Sequence, residues 1–332
     1  MRLSLLNSLK AGRLTGRIKK DESEIGCMED RYEAYHNIKL YNVFNLLNMY
    51  NLNILLIPLW LVFSCLNTSC IDSKRQSVFK VISFSTGKHD QAHISFVNEA
   101  NNWFALKAEE CGFTYESTRN WDDLNEEFLR NYDVVLFLDT RPDSADQRAA
   151  FRKYMESGGA WMGFHFAAFA LTPSLYPQDW DWYHDHFLGS GQYKSNTWRP
   201  VSAVLRVEQR QHPATRHLPE TFTSSPNEWY RWERDLRENS DIEILVSVDS
   251  TSFPLGTGPK LHEIWHEGYY PVVWTNRNYR MLYINMGHND IDYENNTNEE
   301  LSFTFMKDIQ NRLIIDGLLW LGREGKKRHS GR

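Results

Sequence analysis

The apolar and polar positions set a rhythm that starts at residue 79. Phe79 to Ser85 is a short, mostly apolar run ending at Thr86-Gly87, which predicts a buried strand feeding a loop. Ile94, Val97, Ala100, Phe104, Ala108 and Cys111 then recur at helical spacing, and Gly112 stops that helix. A second strand is predicted from Phe113 to Ser117 and a short helix from Trp121 to Arg130. Asp133 to Asp139 is apolar between its two Asp ends and predicts a third strand. Ser144 opens a helix whose buried face carries Ala149, Ala150, Phe151, Tyr154 and Met155, and Gly158-Gly159 ends it. Ala160 to Phe164 is the next strand. Strands alternating with helices predict right-handed βαβ units, hence an α/β fold with a mostly parallel sheet covered by helices on both faces. Ligands of such sheets bind at the carboxyl ends of the strands.

After residue 170 the alternation breaks. An aromatic segment from Leu175 to Trp198 precedes further predicted strands at 201–207, 242–248, 272–275 and 281–286. A long helix is expected from about Asn298 to Leu321. The body thus spans 78–322, and a basic tail, 323–332, follows it.

The region before the body has a different character. No charged residue lies between Lys39 and Asp72, and Ile54 to Phe63 has no polar side chain. Ser64-Cys65 and Thr68-Ser69-Cys70 follow. Residues 1–72 therefore read as an export leader of lipoprotein type, with a hydrophobic segment and a small-residue cleavage zone. Ten apolar residues that include Pro58 are short for a membrane span. Processing at Cys65 or Cys70 would leave a lipid anchor in the membrane and an exported protein, periplasmic or held at the outer membrane of a Gram-negative bacterium. The stretch before Met49 is long for a leader, and Met28 and Met49 are alternative starts.

Charge and cysteine content narrow the function. A net charge of −6, with basic clusters only at the termini, argues against a nucleic-acid partner. Three of the four cysteines precede residue 72, so the body holds Cys111 alone and can build neither a disulfide framework nor a Cys-x-x-Cys metal site. Twelve Trp and sixteen Tyr suit either an apolar core or a surface that stacks on sugars.

The most informative segment is Gly158 to Ala168, GGAWMGFHFAA. A strand followed by a tight turn with small residues beyond it is the layout of a nucleophile elbow, whose central side chain projects above the sheet edge. Glutamine amidotransferases place a low-pKa cysteine there. His165 occupies the position here, so the thioester route is closed while base, acid or ligand chemistry stays available. A purely structural histidine in the turn is the competing reading.

The order of the motifs resembles the ThuA-like, or trehalose-utilisation, family over roughly residues 79 to 322. The resemblance rests on Thr86-Gly-Lys-His89-Asp, on Gly158-Gly159 with Gly163-Phe-His165, and on Gln211-His212 through Pro219. It continues through Asn227-Glu228-Trp-Tyr230, Pro271 to Trp274, Met286-Gly-His288 and Asp316 to Trp320. It implies a flavodoxin-like, class I glutamine amidotransferase-like fold and a role in bacterial sugar catabolism, extending to 3-keto sugars. The family often has an acidic pair in its Asp-Glu-x-Tyr motif, where this chain has Asn227 before Glu228, and the aromatic insert around Trp180 to His186 is a further departure.

His89, His165 and His288 each follow a predicted strand, and Glu228 lies in a loop between later elements. Converging on one sheet edge, they would form a general acid/base site or a site for a divalent metal such as zinc. His184-Asp-His186 and His262 to His266 are further candidate ligand pairs. On the enzyme reading Glu228 and His165 are the acid/base pair, His89 and His288 polarise an oxygen, and Trp180, Trp182, Trp198 and Trp229 supply stacking surface for a small carbohydrate. Tyr230, Asp139, which ends the third strand, and His212, held extended by Pro213, are expected beside the substrate. The alternative is a lipid-anchored carbohydrate-binding protein that needs the aromatics but no acid/base set.

Overall fold

The computed structural model describes residues 79–88, 90–171, 180–253, 265 and 268–324. The leader calls, with Cys65 and Cys70, lie outside these residues, as do His89, His262, His266 and the tail beyond 324. Among the described residues no helix is long and apolar enough to cross a membrane.

A nine-stranded sheet is the frame, in the order β2-β1-β3-β4-β11-β10-β9-β6-β7. Its parallel half consists of β1 (Lys80–Phe84), β2 (Thr114–Thr118), β3 (Val134–Phe137), β4 (Ala160–Phe164) and β11 (Arg280–Ile284). Beyond β11 the pairing turns antiparallel through β10 (Tyr270–Asn276), β9 (Ile242–Val248), β6 (Val204–Val207) and β7 (Thr221–Thr223). Two small ribbons complete the strands. β5 (Tyr193–Asn196) pairs with β8 (Tyr230–Trp232), and β12 (Asp290–Ile291) pairs with β13 (Glu300–Ser302).

Alternation along each central strand divides the core into two layers. Val134 and Leu136, Met162 and Phe164, and Leu282 and Ile284 join one cluster with α1 (Gln91–Cys111) and α4 (Asp308–Leu319). Val135 and Phe137, Trp161, and Met281 and Tyr283 join the other, which also takes Phe151 and Met155 of α3 (Ala145–Glu156). The fold is therefore α/β with helices on both faces, as the rhythm of the sequence predicts.

Capping chemistry explains the helix limits. The Asp90 side chain accepts from His93 N at the start of α1, and Gly112, at φ 72, closes it in the left-handed conformation. Ser144 and Gln147 form a reciprocal capping box on α3.

Two predicted helices need correction. The segment 121–130 divides into a 3₁₀ turn (Trp121–Asp123) and a four-residue α2 (Glu126–Leu129), because Asn125 takes the N-cap position and accepts from Phe128 N. The closing helix starts at Asp308 rather than near Asn298. Ahead of it, Glu300–Ser302 is a strand, and the backbone N–H groups of Thr304 and Phe305 go to Glu99 and Asn289 side chains at 2.9–3.0 Å. Donors committed to side chains across the fold cannot enter a helical ladder.

Candidate functional site

Parallel register brings the site together. Phe84, Phe137, Gly163 and Tyr283 are in register near the carboxyl ends of β1, β3, β4 and β11. The chain leaving each strand at that level supplies a polar group.

His165 follows β4 directly at φ 39, a left-handed conformation uncommon for any residue but glycine. It opens the 3₁₀ turn His165–Ala168, and Tyr283 Oη donates to its carbonyl oxygen at 2.8 Å. The ring has no solvent exposure. Its Nδ1 lies 3.4 Å from Asn285 Oδ1 and its Nε2 lies 3.2 Å from Glu228 Oε2. Asn285 follows β11, and its Nδ2 donates to the Tyr230 carbonyl at 3.3 Å, which fixes the amide with Oδ1 toward His165.

Glu228 comes from the opposite side of the chain. Asn227 forms a bridge with Val201, and Trp229 exchanges hydrogen bonds with Thr197 through its carbonyl and N–H at 3.0 Å. These contacts hold the buried Glu228 against the elbow. Asn196 Nδ2, at the end of β5, donates to Glu228 Oε1. His288 Nε2 stands 3.9 Å from Glu228 Oε2, and His288 Nδ1 is buried without a hydrogen-bond partner among the described residues. Gly287, at φ 131, carries the chain into His288, and its N–H donates to Asn227 Oδ1 at 3.2 Å.

His93, in the first turn of α1, is the member of this cluster that the sequence reading missed. Its ring centroid is 4.8 Å from that of His288 and 5.4 Å from that of His165. Its Nδ1 lies 3.4 Å from the carboxylate of Asp90. One ring nitrogen each from His93, His165 and His288 lies within 4.8 Å of the others, and all three residues are buried. Asn196 and Asn285 are likewise absent from the sequence reading.

Burial sets the electrostatics. Desolvation pulls the His165 pKa below the usual histidine value, opposed by the hydrogen bond and charge of Glu228. Tyr230, whose ring sits 4.0 Å from that of His165, has its phenol pushed far up, first by burial and then by the charge of Glu228. It is a neutral wall to the site.

The remaining candidates occupy different environments. Trp198 is 44% exposed; its ring faces His288 at 6.3 Å and stacks on Tyr293 at 6.1 Å. Trp198, Tyr293, Arg199 and His288 line a cleft of about 60 Å³, the opening toward the buried cluster. Trp229 is fully buried and its Nε1 donates to the Val201 carbonyl at 2.8 Å, so it packs and cannot stack on a ligand. Trp180 lies flat on Tyr183 at 4.8 Å beneath Arg148, and Trp182 stacks on Phe187 at 5.2 Å beneath Arg152. Both belong to the aromatic layer over α3, which removes them from the expected stacking surface.

Asp139 does sit at the correct edge. Its carboxylate, however, accepts from Thr86 N, Thr86 Oγ1 and Gly87 N at 2.8–3.1 Å, and it anchors the loop after β1 rather than facing a substrate. His212 is corrected as well. Its ring packs on Trp320 at 4.5 Å and accepts from Ala214 N at 3.2 Å. Trp320 adjoins Leu321, whose carbonyl takes Arg280 at the start of β11, so His212 lies at the far, amino end of the strands. His184 is buried in the aromatic layer and forms no pair with His186, because the two fall within the helical turn Trp182–Phe187 instead of on a strand. A cavity of about 390 Å³ lies between Asp133, Gly158 and Arg280 at that same amino edge, away from the cluster.

Comparison with known proteins completes this picture. The family model described as ThuA, trehalose utilisation, matches residues 80–303. A solved structure of a ThuA-like protein from Bacteroides uniformis is 34% identical, with a TM-score of 0.64, over 73% of this chain and 91% of that one. A ThuA-like protein from Parabacteroides merdae, 18% identical over 75% of this chain and 91% of that one, shares the fold with a TM-score of 0.52. A search of curated proteins finds no match. On the strength of the match over residues 80–303, the chain belongs to the ThuA, or trehalose-utilisation, family.

Proposed function

We propose that the chain is an acid/base enzyme acting on a sugar or 3-keto-sugar derivative, without glutaminase activity. One observation carries the reading: Glu228 Oε2 and His165 Nε2 meet at 3.2 Å with both side chains out of water. A carboxylate and an imidazole at that distance in a dry site share a proton readily, which suits isomerase, lyase or hydrolase chemistry. His288 stands between the pair and the cleft beside Trp198, where it can polarise a substrate oxygen. The family's description supports a sugar as substrate, and the exposed Trp198 ring, stacked on the half-buried Tyr293, offers an aromatic face at the entrance. The elbow position holds no thiol, so an acyl-enzyme from glutamine has no nucleophile.

Turnover of oxidised disaccharides tests this reading. His165→Ala and Glu228→Ala are each expected to lower the rate by about 10²–10⁴-fold. Activity untouched by both substitutions overturns the assignment. Saturable sugar binding with no turnover would favour a non-catalytic carbohydrate-binding protein instead.

The same proposal places the mature protein outside the cytoplasm, anchored through lipid on Cys65 or Cys70. Its support is the uncharged stretch between Lys39 and Asp72. Labelling cells with a fatty-acid analogue should mark the wild type, and a Cys65→Ser, Cys70→Ser double variant should lose the label. Persistent label in that variant overturns the anchor.

A further inference from the structure

We infer that His93, His165 and His288 form a three-imidazole site for one divalent transition metal ion of the zinc type, with Glu228 beside its open position. The inference rests on the same acid/base site and sharpens it: His165 Nε2 holds the ion, and Glu228 is left as the group that moves the proton. Three lines of geometry support it.

The first is convergence. One nitrogen from each ring lies within 4.8 Å of the other two. Three nitrogens on a tetrahedral zinc sit roughly 3.3 Å apart, given metal–nitrogen bonds of about 2.0–2.1 Å. Inward movements of about an ångström, within reach of small side-chain rotations, close the set on an ion.

The second is the oxygens behind the rings. His165 Nδ1 hydrogen-bonds with Asn285 Oδ1 at 3.4 Å, and the Asp90 carboxylate lies 3.4 Å from His93 Nδ1 at ion-pair distance. An oxygen acceptor behind Nδ1 fixes the proton there and turns the Nε2 lone pair forward, as the outer partners of metal-binding histidines do. Asn285 cannot reverse its amide without losing the Tyr230 carbonyl. His288 Nδ1 has no hydrogen-bond partner among the described residues, and its Nε2 lies 3.9 Å from Glu228.

The third is electrostatic. With Nδ1 protonated, His165 Nε2 presents a lone pair to Glu228 Oε2 at 3.2 Å, and His288 Nε2 approaches the same oxygen at 3.9 Å. A carboxylate oxygen and an imidazole lone pair facing each other at one buried point call for a cation between them. A single divalent ion satisfies all of them together, and three neutral imidazoles with one carboxylate form a donor set suited to zinc, cobalt or nickel.

The chemistry then becomes specific for carbonyl substrates. A ketone oxygen at the open position would be polarised by the ion while Glu228 takes the proton from the neighbouring carbon. The C–H electron pair would form the new carbon–carbon double bond as the C=O π pair moves onto the oxygen, whose charge a bound divalent ion would offset.

Titration of the chelator-treated full-length protein with cobalt(II) alone tests the site. One equivalent should bind and give the visible bands of a four-coordinate nitrogen/oxygen site. His93→Ala and His288→Ala should each weaken binding at least 100-fold, and the outer substitution Asp90→Ala about 10–100-fold. Thermal melting without metal identifies any variant that fails to fold, and Asp90→Ala then carries the test. Absence of stoichiometric binding, or binding indifferent to His93→Ala and Asp90→Ala, overturns the inference. Full turnover of a keto-sugar by metal-free protein would overturn it while leaving the acid/base reading standing. Metal binding on these residues with no turnover would uphold it and remove the acid/base reading.

Discussion

Asn285 Oδ1 stands 3.4 Å behind His165 Nδ1, so the elbow imidazole has one tautomer imposed on it from the neighbouring parallel strand. Asn285→Ala should cost about 1–2 kcal/mol of stability through the lost buried hydrogen bonds. It should also release the ring and lower kcat by about 10-fold or more, with little change in KM. Asn285→Asp sets a carboxylate behind the ring and favours imidazolium, which raises the His165 pKa from its depressed value. If neutral His165 is the active form, the acid limb of the pH–rate profile moves to higher pH. A limb that stays in place would separate His165 from the proton transfer.

Gly287 is the narrow point behind the site. A Cβ built there would meet the Phe96 ring at 3.0 Å and Phe164 Cβ at 3.2 Å, and φ is 131. Gly287→Ala should destabilise the fold by about 1–3 kcal/mol through overpacking and backbone strain. Urea denaturation reads that loss. The adjacent His288 should shift with it, so ligand or metal binding should fall more than the stability loss alone explains.

Asp139 anchors the loop that carries the chain from β1 toward α1 and His93. Asp139→Ala would leave the N–H groups of Thr86 and Gly87 and the Thr86 hydroxyl without their acceptor, at a cost of about 2–4 kcal/mol. Asp139→Asn keeps one acceptor oxygen and should lose about half as much. Equal losses in the two variants would show that charge, and not hydrogen bonding, anchors the loop.

These cases also show what the sequence could reveal. Periodicity carried the parallel half of the sheet because β3 and β4 are continuous apolar runs and β1 is mostly apolar, and the elbow was visible because Gly163-Phe-His165 sits at the end of one of them. The level of β11 followed in the same way and delivered His288. His93 was missed because its neighbour His89 lay nearer the strand end and drew the assignment. Yet His93 extends the buried stripe of Val97, Ala100 and Phe104 at helical spacing, and a histidine on an apolar stripe was the available signal. Asn196 and Asn285 gave no signal, since only the pairing of β5 with β8 and the register of β11 aim them inward. The tryptophans misled for the opposite reason. Their abundance suits a core as well as a stacking surface, and Trp180, Trp182 and Trp229 pack against the core, while Trp198 alone of the four is exposed.

His184 supplies a pH test independent of the site. It is buried among aromatic rings, and its pKa is pushed down to about 3, first by burial and then by the charge of Arg141, with Arg148 adding to the effect. The Trp180 and Phe169 carbonyls oppose that shift without reversing it. The folded protein therefore holds His184 neutral, while the unfolded chain binds a proton there below about pH 6.5. Between those two values the unfolded state carries the extra proton, so stability falls as pH falls, by at most about 1.4 kcal/mol per pH unit. Above pH 6.5 the contribution is complete and flat. His184→Gln removes the titration while keeping a polar group of similar reach. Denaturation at pH 7.5 and pH 4.5 should show the wild type losing about 2 kcal/mol more than the variant over that interval. Parallel losses in the two proteins would mean that His184 is protonated in the folded state or reaches water, and that the aromatic layer over α3 opens well before the fold does.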